Sequence, residues 1–182
     1  MRVSRVEVVV LGLLAEGPRY GYELLERFRE RAMGSWVEVG RASVYQALRR
    51  LEAAGAIAGR QQEGTEGPDR RVYGITSSGR ARLRAGLRER TTEARPYASE
   101  AALALGFLHL LTPQEASRAV EARAEALSAL RDRLAAERER IPPHGPAGAL
   151  AARMLELQDA LAETEGRWLE RLRADLPRLR RS

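Results

Sequence analysis

Cysteine, lysine and asparagine are absent from the 182 residues, and only two histidines occur, His109 and His144. Without cysteine the chain has no disulfide, no thiol chemistry and no cysteine-ligated metal site. Neither histidine has a second histidine at helical spacing, so we expect no zinc site and no cofactor. His109 falls in an apolar stretch, which is typical of a core or interface histidine.

Long hydrophobic runs are also absent. No apolar run approaches the roughly 20 residues that a membrane-spanning helix needs. The longest early run, residues 8–14, is interrupted by Gly12 and has no small-residue cleavage site. We therefore interpret it as a core helix rather than a signal peptide and expect the protein to be cytoplasmic.

Excess positive charge is confined to one half of the chain. Residues 1–90 contain 17 arginines and 11 acidic residues, whereas residues 91–182 contain 14 of each. All 31 basic residues are arginine, which is typical of a genomic codon bias and is not itself a functional signal. A basic half joined to a neutral half indicates that the first part binds a polyanion and the second does something else.

The basic half has the layout of a winged helix-turn-helix. Apolar periodicity and turn residues predict three short helices followed by two strands. These elements cover residues 2–15, 20–33, 41–54, 57–64 and 70–76. The turn-rich residues 65–69 join the strands into a hairpin, the wing. In this layout the third helix enters the major groove of DNA and the wing flanks the backbone.

The neutral half is typical of long paired helices. Thr76 caps a helix that runs through the arginine-rich residues 80–90, and a hydrophobic segment covers residues 101–111. The sequence Thr112-Pro113-Gln114-Glu115 carries a capping box with proline in the first turn, which predicts a helix start. A Pro/Gly-rich break at residues 142–146 separates this helix from a last one.

Apolar positions alternate at spacings of four and three along both long helices. The seam of the first is Ala116, Val120, Arg123, Leu127, Leu130 and Leu134; that of the second is Leu150, Met154, Leu157, Leu161, Thr164 and Trp168. Such seams predict an antiparallel, coiled-coil-like pair. Two helices alone cannot bury both seams, so a second copy is expected to cover the remaining apolar surface.

The predicted fold class is therefore mostly α with a small β-hairpin wing. A winged helix-turn-helix DNA-binding domain is expected over residues 1–90, and a helical dimerisation domain over residues 91–182. The residues predicted to pair two copies are Leu127, Leu130, Leu157, Leu161 and Trp168.

The polar side of the third helix supplies the first group of candidate DNA contacts. Gln46 can pair with adenine, and an arginine with guanine. Tyr and Ser hydroxyls are better suited to phosphate oxygens. The candidates on this helix are Arg41, Ser43, Tyr45, Gln46, Arg49 and Arg50. A solvated helix face with ordinary ion pairs is the alternative interpretation.

The second group of candidates flanks the wing. Arg60, Arg70 and Arg71 are placed to contact phosphates or the minor groove, although charged residues also protect exposed strand edges. Tyr20, at the start of the second helix, can donate to a phosphate or pack locally. Either of the two tryptophans, Trp36 or Trp168, can stack on a flat aromatic ligand. Trp168 falls on the apolar seam, so a core residue is the alternative interpretation there.

These residues resemble the PadR family of transcriptional regulators over residues 8–85. The motifs that carry the resemblance are Val10-Leu11-Gly12-Leu13-Leu14, Gly17-Pro18, Gly21-Tyr22-Glu23-Leu24, Ser43-Val44-Tyr45-Gln46-Ala47-Leu48-Arg49-Arg50-Leu51-Glu52, Gly55, Gly67-Pro68-Asp69-Arg70-Arg71-Val72-Tyr73 and Thr76-Ser77-Ser78-Gly79. The second half is similar to longer-tailed members by helical pattern alone. One departure is Gln46, where the family often has proline.

The resemblance implies a homodimeric bacterial repressor that binds an inverted-repeat operator in double-stranded DNA. It also implies possible release by a small aromatic effector. A winged helix that only docks proteins is the alternative, but a docking face would be apolar rather than arginine-rich. An enzyme is not expected, because no Gly-rich phosphate loop or nucleophile motif occurs.

Overall fold

The computed structural model describes residues 3–62, 70–92, 99–141 and 145–179. The chain forms two compact units, Met1–Ala94 and Arg95–Ser182. In the described ranges, the first unit has four α-helices and a three-stranded sheet, and the second has three α-helices. The predicted class, mostly α with a small β-sheet, is confirmed.

Capping residues set the ends of the helices in the first unit. These helices are α1 (Arg5–Ala15), α2 (Gly21–Glu30), α3 (Arg41–Ala53) and α4 (Ser77–Thr92). Ser4 Oγ accepts the Glu7 N–H at 3.2 Å, and the Glu7 carboxylate accepts the Ser4 N–H at 2.8 Å. Gly55 follows the C-cap of α3 at φ +65°, a left-handed conformation that glycine adopts readily. Thr76 Oγ1 accepts the N–H of Gly79 as α4 begins.

Two of the predicted helices are shorter in the structure. The helix α1 begins at Arg5, because Ser4 has an extended backbone and caps it. The helix α2 ends at Glu30 instead of Met33, and a separate 3-10 turn covers Met33–Ser35. Ala32, between them, has a φ of +49°, so the chain leaves the helical path there.

The sheet is antiparallel and contains one strand that the sequence did not predict. Its strands are β1 (Arg19–Tyr20), β2 (Ile57–Gln62) and β3 (Arg70–Ile75), in the order β1-β3-β2. Two residues are too few to show an alternating pattern, so β1 becomes recognisable only through its pairing with β3. The predicted loop at residues 65–69 lies outside the described residues.

The core of the first unit fixes the orientation of α3. The predicted stripe of Val44, Leu48 and Leu51 is buried, together with Ala47. It packs with leucines of α1 and α2 and with Ile57 of β2. Because this side of α3 is enclosed, its opposite side faces away from the core.

The second unit begins with a short helix and continues with two long ones. They are α5 (Glu100–Gly106), α6 (Pro113–Arg140) and α7 (Gly145–Leu179), with a 3-10 turn at Leu108–Leu110. The predicted capping box at the start of α6 is confirmed. The Thr112 side chain accepts the Glu115 N–H at 3.3 Å, and the Glu115 carboxylate accepts the Thr112 N–H at 2.8 Å. Of the predicted break at residues 142–146, residues 142–144 lie outside the described residues, whereas Gly145 and Pro146 already belong to α7.

Ion pairs between α6 and α7 show that the helices run antiparallel. As the position advances along α6, the partner on α7 moves backward. The pairs are Glu121–Arg173, Arg123–Glu165, Arg131–Asp159 and Arg138–Glu156. The predicted antiparallel arrangement of these two helices is therefore correct. Arg123, placed on the seam by its spacing, lies at the edge and holds Glu165 through two hydrogen bonds of 2.8 and 3.0 Å.

The predicted seam of α7 is wrong by one residue. The side chains buried on this helix are Ala151, Leu155, Ala162 and Leu169. Each follows directly after a residue of the predicted seam. The alanines have small side chains, which allow close packing of α7 on its neighbour. The larger Leu150, Leu157, Leu161 and Trp168 remain exposed.

The residues predicted to pair two copies therefore fall into two groups. Leu127 is buried inside the second unit, and Leu130 packs against the same core. Both contribute to intramolecular packing instead of an open surface. Leu157, Leu161 and Trp168 lie on the exposed side of α7.

Candidate nucleic-acid interface

The outer side of α3 carries polar and cationic side chains. Arg41, Gln46, Arg49 and Arg50 are exposed, whereas Ser43 and Tyr45 are half-buried. The guanidinium of Arg41 lies 6.0 Å from the centre of the Tyr45 ring, within the range of a cation–π contact. This side therefore presents hydrogen-bond donors and an amide to any partner that lies along the helix.

One edge of α3 is tied to α1 through a buried carboxylate. Glu7 is only 4% exposed, and its Oε1 accepts a hydrogen bond from Nε of Arg50 at 3.3 Å. Burial raises the pKa of Glu7, but hydrogen bonds from Ser4 and Arg50 outweigh this effect and hold the pKa below its usual value. The Nε of Arg50 is thus already engaged with Glu7.

The other edge of α3 is tied to the wing. Nη2 of Arg71, on β3, donates to Oε1 of Glu52 at 2.6 Å. This contact raises the pKa of Arg71 above its usual value, so its guanidinium stays charged. Arg71 also lies 6.0 Å from the centre of the Tyr73 ring.

Between α2, α3 and the wing lies a cleft that we name the tyrosine cleft. It has a volume of about 570 Å³ and is lined by Tyr20, Gly21, Tyr22, Tyr45, Arg71 and Tyr73. Four of the five tyrosines in the chain are therefore at one place. Phenol hydroxyls beside one guanidinium form a surface that suits an anionic oxygen.

Close packing shapes the tyrosine cleft. The rings of Tyr20 and Tyr22 stack with centroids 5.5 Å apart and planes 8° from parallel. The Tyr20 hydroxyl donates to Oε1 of Gln62 at 3.1 Å, which links β1, just before α2, to β2 of the wing. A Cβ at Gly21 would lie 2.9 Å from Cε1 of Tyr45, so glycine lets α2 and α3 approach closely. Burial raises the pKa of Tyr73, and Glu52 raises it further, so its hydroxyl keeps its proton.

The structure brings only some of the predicted contact residues together. Tyr20, Tyr45 and Arg71 meet in the tyrosine cleft. Arg60 lies on β2, exposed and opposite Val72. The backbone of Arg70 pairs with Gln62, but its side chain lies outside the described part of the molecule.

Sequence reasoning missed Tyr22, Tyr73, Glu7 and Glu52. The concentration of tyrosine in the first half was a visible signal for the first two. The two carboxylates gave none for their pairing with arginine, because Arg50 is 43 residues from Glu7 and Arg71 is 19 residues from Glu52.

Two other classes of site do not occur within the described ranges. Among those residues, no cluster of three or more histidine or acidic side chains can hold a metal ion. None of the described helices has an apolar stretch long enough to cross a bilayer.

The second unit presents an exposed apolar surface. The stripe on α7, hereafter the α7 stripe, consists of Leu150, Leu157, Leu161 and Trp168. Leu150 is 67% exposed and Leu157 is 48% exposed, which is unusual for leucines spaced one heptad apart. Further exposed apolar residues lie on and after α5: Leu103, Phe107, Leu110 and Leu111. Exposed apolar side chains in this number are typical of an interaction site.

Comparisons of the sequence with known proteins match part of the chain. The family described as "Transcriptional regulator PadR-like family" matches residues 10–85. An uncharacterised protein of Lysinibacillus sphaericus is 31% identical over 80 residues, which are 44% of this chain and 72% of that protein.

Two solved structures match almost the full chain. Bacillus subtilis PadR in complex with operator DNA has a TM-score of 0.75 and 23% identity, and the match covers 95% of this chain and 99% of that one. The same protein in complex with p-coumaric acid has a TM-score of 0.74 and 24% identity, with the same coverage. These similarities show that the fold extends through both units.

Proposed function

Since the chain belongs to the PadR-like family of transcriptional regulators, we propose that it binds an inverted-repeat operator as a homodimer and represses transcription. The observation that carries this proposal is the side of α3 that faces away from the core. Gln46 and Arg49 are exposed there, between the two edges that Glu7 and Glu52 hold in place. Family members are regulators rather than enzymes. Because a bacterial operator lies in the cytoplasm, we expect the protein to act there.

Each part of the first unit has a role in this proposal. The helix α3 enters the major groove, where Gln46 reads adenine and Arg49 reads guanine. The tyrosine cleft and Arg71 hold backbone phosphates, and Arg60 and Arg70 extend the basic surface along the wing. Arg41, Ser43 and Arg50 contribute from the ends and edge of α3. The domain of residues 1–90 is thus the DNA-binding domain.

The second unit supplies the symmetry that an inverted repeat requires. We infer that the α7 stripe packs against a second copy, so that residues 91–182 form the dimerisation domain. Two recognition helices then lie about 34 Å apart, one turn of DNA, and meet successive major grooves. Leu157, Leu161 and Trp168 are the predicted pairing residues that remain available for this contact.

Selection from random duplex DNA tests the function directly. We expect the wild-type protein to enrich an inverted repeat, with binding that weakens steeply as salt rises because each neutralised phosphate releases counterions. Arg49→Ala is expected to lower operator affinity by about 1–3 kcal/mol and to relax the preference at one position per half-site. Gln46→Ala should do the same at a different position.

Arg133→Ala provides the control for this selection. Arg133 is an exposed arginine on α6, so the substitution removes the same charge away from the proposed interface. Its operator preference should equal that of the wild type. A wild-type protein that binds random DNA as tightly as its enriched sequence would contradict the proposed function.

A cavity in the second unit supports a small aromatic effector. It has a volume of about 650 Å³, and its walls include Leu105, Leu161, Leu172 and Trp168. Two charged residues also line it, Arg171 and Glu165, and Glu165 is held by Arg123. An indole ring and apolar walls suit a planar ring, and a guanidinium suits a carboxylate. The cavity therefore fits a flat aromatic acid.

Tryptophan fluorescence tests the effector with p-coumaric acid as the probe. In a Trp36→Phe background only Trp168 emits, so ligand binding should change its emission and release the operator. Trp168→Phe, with Trp36 retained, should show no such emission change. Unchanged emission and unchanged operator binding at millimolar ligand would argue against this effector class.

A further inference from the structure

The carboxylate of Glu52, the penultimate residue of α3, contacts both strands of the wing. The backbone N–H of Gly59, on β2, donates to its Oε1 at 3.0 Å. Nη2 of Arg71, on β3, donates to the same oxygen at 2.6 Å. One oxygen atom therefore joins the recognition helix to two strands, and we name these three residues the wing clamp.

Glycine at position 59 leaves room for the other two groups of the wing clamp. A Cβ at Gly59 would lie 2.4 Å from Nε of Arg71 and 2.6 Å from Oε1 of Glu52. Both distances are shorter than any real Cβ contact, so a side chain there must displace the guanidinium or the carboxylate. The missing side chain at this position lets Arg71 reach Glu52.

The backbone contact distinguishes the wing clamp from an ordinary surface ion pair. An exposed pair between long side chains contributes little, because both side chains can rotate away and salt screens them. The Gly59 N–H is part of the strand and has no such freedom. Its bond to Glu52 therefore restrains β2 itself, and β3 follows through its pairing with β2.

We propose that Glu52 is a positioning residue that sets where the wing lies relative to α3, so that both engage one operator together. This inference rests on the proposed DNA-binding function. It predicts a change in DNA affinity, on removal of the carboxylate, that is opposite in sign to the change expected from simple electrostatics. A carboxylate close to phosphates repels them, so its removal alone should strengthen DNA binding. Loss of the wing clamp should instead weaken it.

Glu52→Gln and Gly59→Ala test this inference on the full-length protein with the operator enriched by the wild type. Each is expected to lower operator affinity by about tenfold, the equivalent of one charge-assisted hydrogen bond. The salt dependence should become shallower by about one phosphate contact. Hydroxyl-radical protection should be lost where the wing lies, whereas the base preferences read by α3 should persist.

Glu30→Gln is the matched control. Glu30 lies on α2 and pairs with Arg27 at 3.0 Å, so the substitution removes the same charge from another ion pair. It should leave both the affinity and the wing protection unchanged. If Glu52→Gln binds the operator as tightly as the wild type or more tightly, the positioning role is wrong.

Hydrogen exchange of the free protein separates this inference from the proposed function. In Glu52→Gln the Gly59 amide should exchange faster, because a neutral amide oxygen is a weaker acceptor than a carboxylate for both Gly59 and Arg71. An unchanged Gly59 amide would overturn the wing clamp whatever the protein does with DNA. If the wild-type protein has no operator preference, the proposed function is wrong, and so is the role of Glu52 in operator binding. The exchange data would still show whether Glu52 restrains the wing.

Discussion

Replacing Leu150 and Leu157 by glutamate is expected to separate the two copies and to lower operator affinity by about 10²- to 10³-fold. Both leucines belong to the α7 stripe and are largely exposed in the single chain, so the substitutions should not disturb the fold of the second unit. In a dimer, however, the four charges would meet across an apolar interface. A monomer loses the high effective concentration that the second DNA-binding domain has once the first is bound.

Sedimentation and operator titration measure the two parts of this prediction. Ala149→Glu with Ala160→Glu is the control, because both alanines are exposed on α7 but do not belong to the α7 stripe. That variant should remain dimeric and bind as the wild type does. If Leu150→Glu with Leu157→Glu stays dimeric, another surface pairs the copies; if it becomes monomeric with unchanged affinity, the operator is not read by a dimer.

Gly79→Ala is expected to lower the free energy of unfolding of the first unit by about 3 kcal/mol. A Cβ at this position would lie 2.0 Å from the backbone oxygen of Ala56 and 2.8 Å from Cγ1 of Ile75. The same oxygen accepts hydrogen bonds from the Thr76 N–H at 3.1 Å and its hydroxyl at 3.0 Å. The start of α4 cannot move away without breaking these bonds.

Gly12→Ala is the matched comparison, because Gly12 also lies in a helix. A Cβ there would meet no described atom within 4 Å, and alanine is the better helix former. Its expected effect is a gain of up to about 1 kcal/mol, opposite in sign to that at Gly79. Urea denaturation of both variants measures the difference. Equal effects of the two substitutions would mean that α4 does not pack on Ala56 as described.

Local patterns were sufficient for much of this fold. The capping box at Thr112 and Glu115 is visible in four consecutive residues, because both partners lie within one helical turn. The periodic stripe Val44, Leu48 and Leu51 identified the buried side of α3, and with it the side that faces outward. Such features depend on neighbours in the sequence, so they can be read without coordinates.

The pairing of the long helices shows where periodicity stops being informative. Two parallel stripes run along α7, one of alternating alanine and leucine and one of large side chains, and their residues are adjacent in the sequence. Both stripes have the same spacing, so the spacing could not distinguish them. The larger side chains were therefore predicted to form the seam. Close packing on α6 selected the stripe that begins at Ala151 instead. That choice left Leu157, Leu161 and Trp168 exposed.

The sequence alone determined the order of the main helices and of the two hairpin strands, the basic first half and the outward side of α3, since each follows from composition or from residues within a few turns of one another. Only the tertiary structure decided that Glu7 holds Arg50, that Glu52 holds Gly59 and Arg71, and that four tyrosines meet in one cleft. These contacts join different helices and strands of the fold. Their distances arise from how the core packs, and no local pattern encodes them.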